Sequence, residues 1–328
     1  MSALPNRDLR SEPFTAADFA RAAQTLYQWL APTPQLAWPL LAARCGCAVW
    51  VKHENHLPTG AFKVRGGLWF MQQLVEQCAT LAGVVAATRG NHGQSIAYAA
   101  GQHGLPAVVV VPHGNNPDKN RAIRALGAEL IEHGADFNAA LDYATELADA
   151  RGLYALPSFH SVLVQGVGTS SYEFLRAVPE LDAVYVPVGL GTGIAGMLAA
   201  RQALGRDIEI IGVVAAAADA FAQSFERATV VTTATADTVA DGLAVRVPSP
   251  IALDYLRTGV SRVVRVTDDE ILAAVAAYFT DTHNLAEGAG AAPLAALWQE
   301  RERMRGRKIG LVLSGANLDR ATMLRALA

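Results

Sequence analysis

Short, uninterrupted apolar runs separated by helical segments most restrict how this chain can fold. Five such runs are clear, at residues 83–87, 107–111, 183–188, 208–214 and 309–313. Strands that are apolar on both faces are typical of parallel sheets covered by helices. Between the runs, apolar residues recur at three- and four-residue steps, as in the segment that starts at Phe137 and ends before Gly152. The pattern therefore predicts an α/β fold.

The length of the chain indicates more than one domain. Its 328 residues correspond to roughly two domains of ordinary size. The L-P-S-F-H segment at 156–160 interrupts the alternation of strands and helices. We predict two doubly wound parallel-sheet domains with a cleft between them. The large domain would comprise residues 1–75 and 158–328, and the small domain residues 76–157.

Charge, hydropathy and cysteine usage narrow the class of partner. The net charge is −3 and long Lys/Arg runs are absent, which argues against nucleic acid. The sequence contains no apolar run of about 18 residues and no apolar signal core at its start, so we expect neither membrane insertion nor secretion. Cys45, Cys47 and Cys78 have a spacing that suits neither a redox motif nor a zinc site. We expect reduced thiols, a cytoplasmic location and a small-molecule partner.

Lys63 stands in an unusual context for a lysine. It lies within T-G-A-F-K-V-R-G-G at 59–67, among small and apolar residues. A buried ammonium is costly unless it is paired or neutralised. Either Lys63 starts a surface helix and points into water, or another part of the chain supplies a partner for it.

A first glycine-rich loop follows the strand predicted at 83–87. The sequence A-A-T-R-G-N-H-G-Q-S-I-A spans 86–97. Gly90 and Gly93 permit a close backbone approach, and the amides at the start of the next helix would face an anion such as a carboxylate. The alternative is an ordinary strand-to-helix turn capped by Thr88 or Asn91.

A second glycine-rich loop, V-P-V-G-L-G-T-G-I-A-G at 186–196, has successive unhindered amides that could hold a phosphate. Residues 191–196 formally match the dinucleotide pattern G-x-G-x-x-G. The next strand, however, ends in alanines and not in the acidic residue that would bind a ribose. A single phosphate is the more economical ligand.

Ser314 ends the last predicted strand, in L-V-L-S-G-A-N. In open α/β sheets ligands bind beyond the carboxyl ends of the strands, which makes this serine a candidate site residue. The alternative is that Ser314 caps the following helix.

Four segments in this order resemble the motifs of the fold-type II pyridoxal-phosphate enzymes, specifically the threonine/serine dehydratase and serine racemase family. They are K-H-E-N-H-L-P-T-G-A-F-K-V-R-G at 52–66, G-N-H-G-Q at 90–94, G-L-G-T-G at 189–193 and S-G-A-N at 314–317. The resemblance covers nearly the whole chain. It implies a tryptophan synthase β-like fold with pyridoxal 5′-phosphate (PLP) in the cleft between the domains.

The resemblance also implies a role for individual residues. Lys63 would form the Schiff base and act as general base, Asn91 would meet the phenolic oxygen, and Ser314 would meet the pyridine nitrogen. The cofactor-binding set would be Phe62, Lys63, Asn91, Gly189, Leu190, Gly191, Thr192, Gly193, Glu287 and Ser314. The substrate-binding set would be Thr88, Arg89, Gly90, Asn91 and His92. Glu287 has an alternative interpretation as an ordinary residue of the first turn of a helix.

Two departures from the family pattern bear on the reaction. Arg89 stands where the family usually has a serine, which is the second base in racemising members, and arginine does not deprotonate in proteins. We therefore expect a lyase with one base, in which Arg89 meets the substrate side chain; alternatively it turns toward solvent or an acidic residue. Residues 215–218 are alanines where cation-dependent members carry carboxylates, so we expect no metal.

We therefore predict a PLP-dependent ammonia-lyase that removes water from a 3-hydroxy-L-amino acid and yields a 2-oxo acid and ammonia. Threonine, serine, 3-phenylserine and 3-hydroxyaspartate remain open as substrates, and we expect a homodimer. The alternatives are a nicotinamide-dependent oxidoreductase that uses residues 191–196 and a non-catalytic, PLP-binding regulatory protein.

Overall fold

A computed structural model describes residues 4–78 and 80–328. The strands in this part of the chain are β1 Gln35–Ala37, β2 Ala48–His53, β3 Val84–Ala87, β4 Ala107–Val111, β5 Glu129–Glu132, β6 Tyr154–Ala155, β7 Ala183–Pro187, β8 Glu209–Ala215, β9 Val260–Val266 and β10 Lys308–Leu313. The helices are α1 Ala16–Leu26, α2 Pro39–Cys45, α3 Lys63–Gln77, α4 Asn91–Gln102, α5 Pro117–Ala125, α6 Phe137–Arg151, α7 Ser161–Ala177, α8 Thr192–Ala203, α9 Ala220–Arg227, α10 Pro250–Leu256, α11 Asp268–Thr282, α12 Gly288–Gln299, α13 Arg301–Met304 and α14 Arg320–Leu327. In these residues the structure has no helix both long and apolar enough to cross a bilayer.

The strands form two sheets. The larger has the order β1-β2-β10-β7-β8-β9 and is parallel except for the β1–β2 pair, and the smaller has the order β5-β4-β3-β6 and is parallel throughout. All five runs predicted as strands are strands, namely β3, β4, β7, β8 and β10. The predicted α/β class with parallel sheets is therefore confirmed.

Helices cover both faces of each sheet. The six-stranded sheet packs against α2, α11 and α12 on one side and against α7, α8 and α10 on the other. In the four-stranded sheet, Val84 and Ala86 pack toward α3 and α4, whereas Val85 and Ala87 pack toward α6. Because both faces of these strands are buried, apolar residues occupy every position, which is what made the runs recognisable in the sequence.

The start of α3 is held firmly between its neighbours. This helix crosses α7 so closely that a Cβ atom on Gly166 would lie 2.7 Å from the carbonyl oxygen of Arg65 and 2.9 Å from the Cα atom of Gly66. A side chain on Gly166 would therefore push the two helices apart. Because Lys63 is the first residue of α3, this contact fixes the position of the lysine.

A buried ionic cluster lies behind the same helix. Arg65 contacts Glu54 at 2.7 Å and Glu173 at 2.7 Å, and Lys52 contacts Glu173 at 2.6 Å. The side chains of Arg65, Glu54 and Lys52 are fully buried, and the hydroxyl of Thr33 donates to Glu54 at 2.6 Å. The cluster links β2, α3 and α7, so it braces the segment that carries Lys63.

Candidate active site

The three glycine- or serine-containing loops meet at the carboxyl ends of β3, β7 and β10. Together with the start of α3 they line one cleft. Every residue that the sequence predicted for the site lies on it, namely Phe62, Lys63, Thr88, Arg89, Gly90, Asn91, His92, Gly189, Leu190, Gly191, Thr192, Gly193, Glu287 and Ser314. Distant segments of the chain thus converge, as expected for a ligand site in an α/β protein.

Lys63 faces the cleft and not the solvent. Its Nζ atom donates a hydrogen bond of 2.8 Å to the hydroxyl of Thr192 and lies 4.9 Å from the centre of the Phe62 ring. Burial lowers the pKa of Lys63 to about 8, while the carboxylate of Glu287 acts in the opposite direction. A substantial fraction of this amine is therefore neutral near physiological pH and can act as a nucleophile or a base.

The loop at 189–193 has the geometry of a phosphate cradle. A Cβ atom on Gly189 would lie 2.3 Å from the carbonyl oxygen of Gly242, and Gly191 has a φ of 97°, so neither position accepts a larger residue without strain. α8 begins directly after Gly191 and no side chain caps it. Its first amides remain available to an anion next to the ammonium of Lys63.

Asn91 is held by two neighbours. Its Nδ2 atom donates to Oε1 of Glu287 at 2.7 Å, and its Oδ1 atom accepts from Nδ2 of Asn317 at 2.8 Å. Glu287 directly precedes α12 but makes no capping hydrogen bond there. Its side chain instead lines the cleft and contacts Asn91.

The side chain of Thr88 stabilises the first loop. Its hydroxyl accepts hydrogen bonds from the amides of Gly90 at 2.9 Å and Gly93 at 3.2 Å. The alternative of a strand-to-helix turn stabilised by Thr88 is therefore also correct.

His92 is neutral in this site. Its Nε2 atom is shielded from solvent and has no hydrogen-bond partner in the described part of the chain. Burial, followed by the charge of Lys63, lowers the pKa of His92 to about 3. The ring therefore offers a neutral hydrogen-bonding group to a ligand.

Ser314 is buried at the end of β10 and lines the cleft. The next helix, α14, starts at Arg320 and is capped by the side chain of Asp319, not by Ser314. The alternative in which Ser314 caps a helix is wrong, and its hydroxyl is available to a ligand.

Arg89 lies at the part of the cleft that Asp136, Phe137 and Arg246 also line. Asp136 and Arg246 form an ion pair of 2.7 Å. The Nε atom of Arg89 is shielded from solvent and has no hydrogen-bond partner among residues 4–78 and 80–328. This nitrogen is a hydrogen-bond donor that remains available to a ligand group.

Sequence reasoning missed four charged residues of the cleft, namely Lys119, Asp136, Asp241 and Arg246. Lys119 follows the polar stretch G-N-N-P-D, which is typical of an exposed helix start, and local sequence gave no sign that it is buried.

Two further observations bear on metal binding. Asp219, the acidic residue that follows the alanines at the end of β8, already contacts Arg265 at 2.9 Å and Gln223 at 2.7 Å. Residues 4–78 and 80–328 contain no group of three or more His, Cys, Asp or Glu side chains arranged for a metal ion.

The residues of the cleft fit PLP. The loop at 189–193 suits its phosphate, the partly neutral amine of Lys63 suits its aldehyde, and Asn91 and Ser314 offer polar groups to its ring. Glu287 has a shielded oxygen, Oε2, without a hydrogen-bond partner in the described residues, as is common where a site is shaped for a polar ligand.

Comparison with known proteins agrees with this geometry. Residues 26–315 match the family described as "Pyridoxal-phosphate dependent enzyme". L-Threonine ammonia-lyase from Geobacter sulfurreducens is 37% identical over 281 residues, covering 85% of this chain and 70% of the relative. Maize serine racemase has a TM-score of 0.89 at 26% identity, covering 96% of this chain and 97% of that one. The T.th. threonine deaminase has a TM-score of 0.87 at 30% identity, covering 93% of this chain and 99% of that one.

The chain therefore belongs to the pyridoxal-phosphate-dependent enzyme family. Its cofactor is PLP, and it is a PLP-dependent lyase of the dehydratase or ammonia-lyase type. The nicotinamide alternative and the non-catalytic alternative are both wrong.

Proposed function

We propose that this enzyme removes water from a 3-hydroxy-L-amino acid to give a 2-oxo acid and ammonia, and that Arg89 favours a substrate with a bulky or acidic side chain. The relatives named for threonine support the reaction class. The preference is supported by a single observation, the shielded Nε atom of Arg89 that has no hydrogen-bond partner in the described residues. The side chain of threonine offers only a hydroxyl group to a guanidinium. A β-carboxylate, by contrast, can form a bidentate pair with the guanidinium, and an aryl ring can stack its face against it.

In this proposal, each step of the reaction is assigned to particular residues of the chain. When bound, PLP supplies an electron sink for the charge that develops at the substrate α-carbon. The neutral amine of Lys63 takes the α-proton, and Thr192 orients that amine. The 88–92 loop binds the substrate carboxylate through backbone amides, and Arg89 meets the side chain. The hydroxyl leaves the β-carbon as water with the proton that Lys63 removed from the α-carbon, and hydrolysis of the released enamine gives the 2-oxo acid and ammonia.

The neutral hydroxyl of Ser314 affects how strongly the cofactor ring would withdraw electrons. In the proposed role it meets the pyridine nitrogen without supplying a charge, so the ring is a weaker electron sink than it would be beside a carboxylate. That favours prompt elimination over a long-lived charge at the α-carbon. Glu287 and Asn91 would offer further polar groups to the ring.

The substrate preference is tested with the variant Arg89→Ser. We expect kcat/KM of the native enzyme to be higher for 3-phenylserine or 3-hydroxyaspartate than for threonine or serine. Arg89→Ser should lower kcat/KM for the larger substrate by roughly 5- to 150-fold more than for threonine, which corresponds to about 1–3 kcal/mol. Arg121→Ser, a change at an exposed arginine that does not line the cleft, is the matched control. If Arg89→Ser lowers kcat/KM by the same factor for every substrate, Arg89 does not contact the substrate side chain. The enzyme is then a plain threonine/serine dehydratase.

The low pKa of Lys63 gives a second test in the full-length chain freed of cofactor. Since only the neutral amine attacks an aldehyde, the rate of PLP capture should rise with pH through a midpoint near 8. An ordinary lysine would show its midpoint at about 10.4. Stopped-flow absorbance measures the rate, and butylamine in the same buffers corrects for the titration of PLP itself. A midpoint at the ordinary lysine value would contradict the buried environment of Lys63.

We also propose the domain division into residues 1–75 with 158–328 and residues 76–157. All strands of the four-stranded sheet lie between Val84 and Ala155, which supports it. A homodimer remains a proposal, and analytical ultracentrifugation of the holoenzyme tests it.

A further inference from the structure

Lys119 is a buried lysine in the cleft that the proposed reaction does not use. The chain has four lysines, and only Lys63 and Lys119 of these line the cleft. The side chain of Lys119 is 7% exposed. Its stem covers the first loop so closely that a Cβ atom on Gly90 would lie 2.4 Å from the Cδ atom of Lys119. Such a placement is costly for a lysine unless its ammonium is paired.

The ammonium of Lys119 lies near two carboxylates that belong to the part of the chain containing the six-stranded sheet. Its Nζ atom is 2.9 Å from Asp241 and 3.9 Å from Oε2 of Glu287. Asp241 is partly exposed, whereas the side chain of Glu287 is 6% exposed. Among the described residues, Lys119 is the cation that lies within salt-bridge distance of Glu287.

Glu287 in turn sets the orientation of Asn91. Its Oε1 atom accepts from Nδ2 of Asn91 at 2.7 Å, while Asn317 donates to Oδ1 of Asn91 at 2.8 Å and to the carbonyl oxygen of Thr59. These contacts fix which end of the amide is nitrogen. One N–H of Asn91 is used by Glu287, and the second remains for a ligand in the cleft.

We propose that Lys119 is a positioning residue for the cofactor: its ammonium stabilises the Glu287 carboxylate in the cleft, and through Glu287 it holds the amide of Asn91 toward the ring oxygen of PLP. The proposal rests on the role assigned to Asn91 above and is independent of which substrate the enzyme prefers.

The charge balance around Glu287 supports this chain of contacts. Burial raises the pKa of Glu287, and the charge of Lys119 is the largest opposing influence, followed by the hydrogen bond from Asn91. Without Lys119 the carboxyl group would be protonated at a higher pH still. A protonated Glu287 accepts from Asn91 more weakly than the carboxylate does, and its own hydroxyl cannot donate to Oδ1 of Asn91, which Asn317 already occupies.

The test measures cofactor binding without substrate. Full-length protein freed of cofactor is titrated with PLP, and the visible absorbance of the bound cofactor gives the dissociation constant. Lys119→Met keeps most of the stem that covers Gly90 and removes the charge. We expect it to weaken PLP binding by roughly 10- to 100-fold. Lys308→Met is the matched control, because Lys308 pairs with the exposed Glu180 at the surface; it should leave binding unchanged.

The decisive comparison repeats Lys119→Met in a Glu287→Gln background. Glutamine can accept from Asn91 but carries no charge that needs Lys119. If Lys119 acts through Glu287, its replacement should cost far less in this background than in the native chain. An equal cost in both backgrounds, or no cost in the native chain, would overturn the proposal. Should Lys119→Met alone fail to fold, a folded double variant would support it, since the unpaired charge is then the cause.

Asp241→Asn separates the two carboxylates. It removes the outer contact of Lys119 and leaves Glu287 intact, so PLP binding should change by less than about fivefold. A loss as large as that of Lys119→Met would mean that Asp241, and not Glu287, carries the effect. Because no substrate enters these titrations, a failure of the proposed substrate preference leaves their result unaffected.

Discussion

Lys63→Ala is expected to lower turnover by roughly 10³-fold or more and to abolish the visible absorbance of the lysine-bound cofactor. The change removes the proposed covalent anchor and the proposed base together. Lys63→Arg should be equally inactive, because arginine keeps the positive charge but cannot lose its proton. Release of 2-oxo acid from threonine, serine, 3-phenylserine and 3-hydroxyaspartate measures the result.

The control for this prediction is Lys308→Ala, which removes a lysine at the far, amino end of β10 and should retain full activity. If Lys63→Ala kept turnover within about tenfold of the native enzyme, the assignment of Lys63 would be wrong. Retained activity in Lys63→Arg would equally show that only a charge is needed at this position.

Arg65→Met is expected to lower the free energy of unfolding by about 3–5 kcal/mol, the cost of breaking a buried ion pair from one side. Arg65 is fully buried and contacts Glu54 and Glu173, so its loss leaves Glu54 buried with only the hydroxyl of Thr33 as a close partner. Urea denaturation of the full chain measures the change. Because α3 begins at Lys63, two residues earlier, we also expect weaker cofactor binding.

The matched control for Arg65→Met is Arg151→Met. Arg151 pairs with Glu129 at 2.7 Å, but both side chains are about half exposed, so the loss should stay below about 1 kcal/mol. Adding Glu54→Gln to Arg65→Met should recover part of the stability, since it removes the unpaired charge. Equal losses for Arg65→Met and Arg151→Met would show that the buried cluster contributes no more than a surface pair.

Of the five strands that the sequence did not predict, β1, β5, β6 and β9 lie at an edge of a sheet, whereas β2 does not. β9 carries two arginines and lies at the edge of the larger sheet, and β5 has the sequence E-L-I-E at the edge of the smaller one. An edge strand is partly exposed, so polar residues break the continuous apolar run that marks a central strand. β1 and β6 have only three and two residues, too few to show a pattern.

The candidate site was largely recognisable from sequence because its residues lie in short motifs at the ends of buried strands. A strand covered on both faces must be apolar, and a loop that approaches a phosphate must contain glycine, so both leave a local pattern. The family resemblance then linked four such motifs. The sequence by itself thus determined the α/β class and the three loops, and its family resemblance predicts Lys63 as the reactive lysine.

The tertiary structure alone decided which charged groups face the cleft. Lys119 meets Asp241 across 122 positions of the chain, and Arg246 meets Asp136 across 110. No local pattern records such a pairing. A lysine or arginine has the same identity whether it is solvated or buried, and only packing determines whether it needs a partner and where that partner lies. For the same reason the fold, and not the sequence, revealed that Arg65 is the buried centre of an ionic cluster and that Ser314 caps no helix.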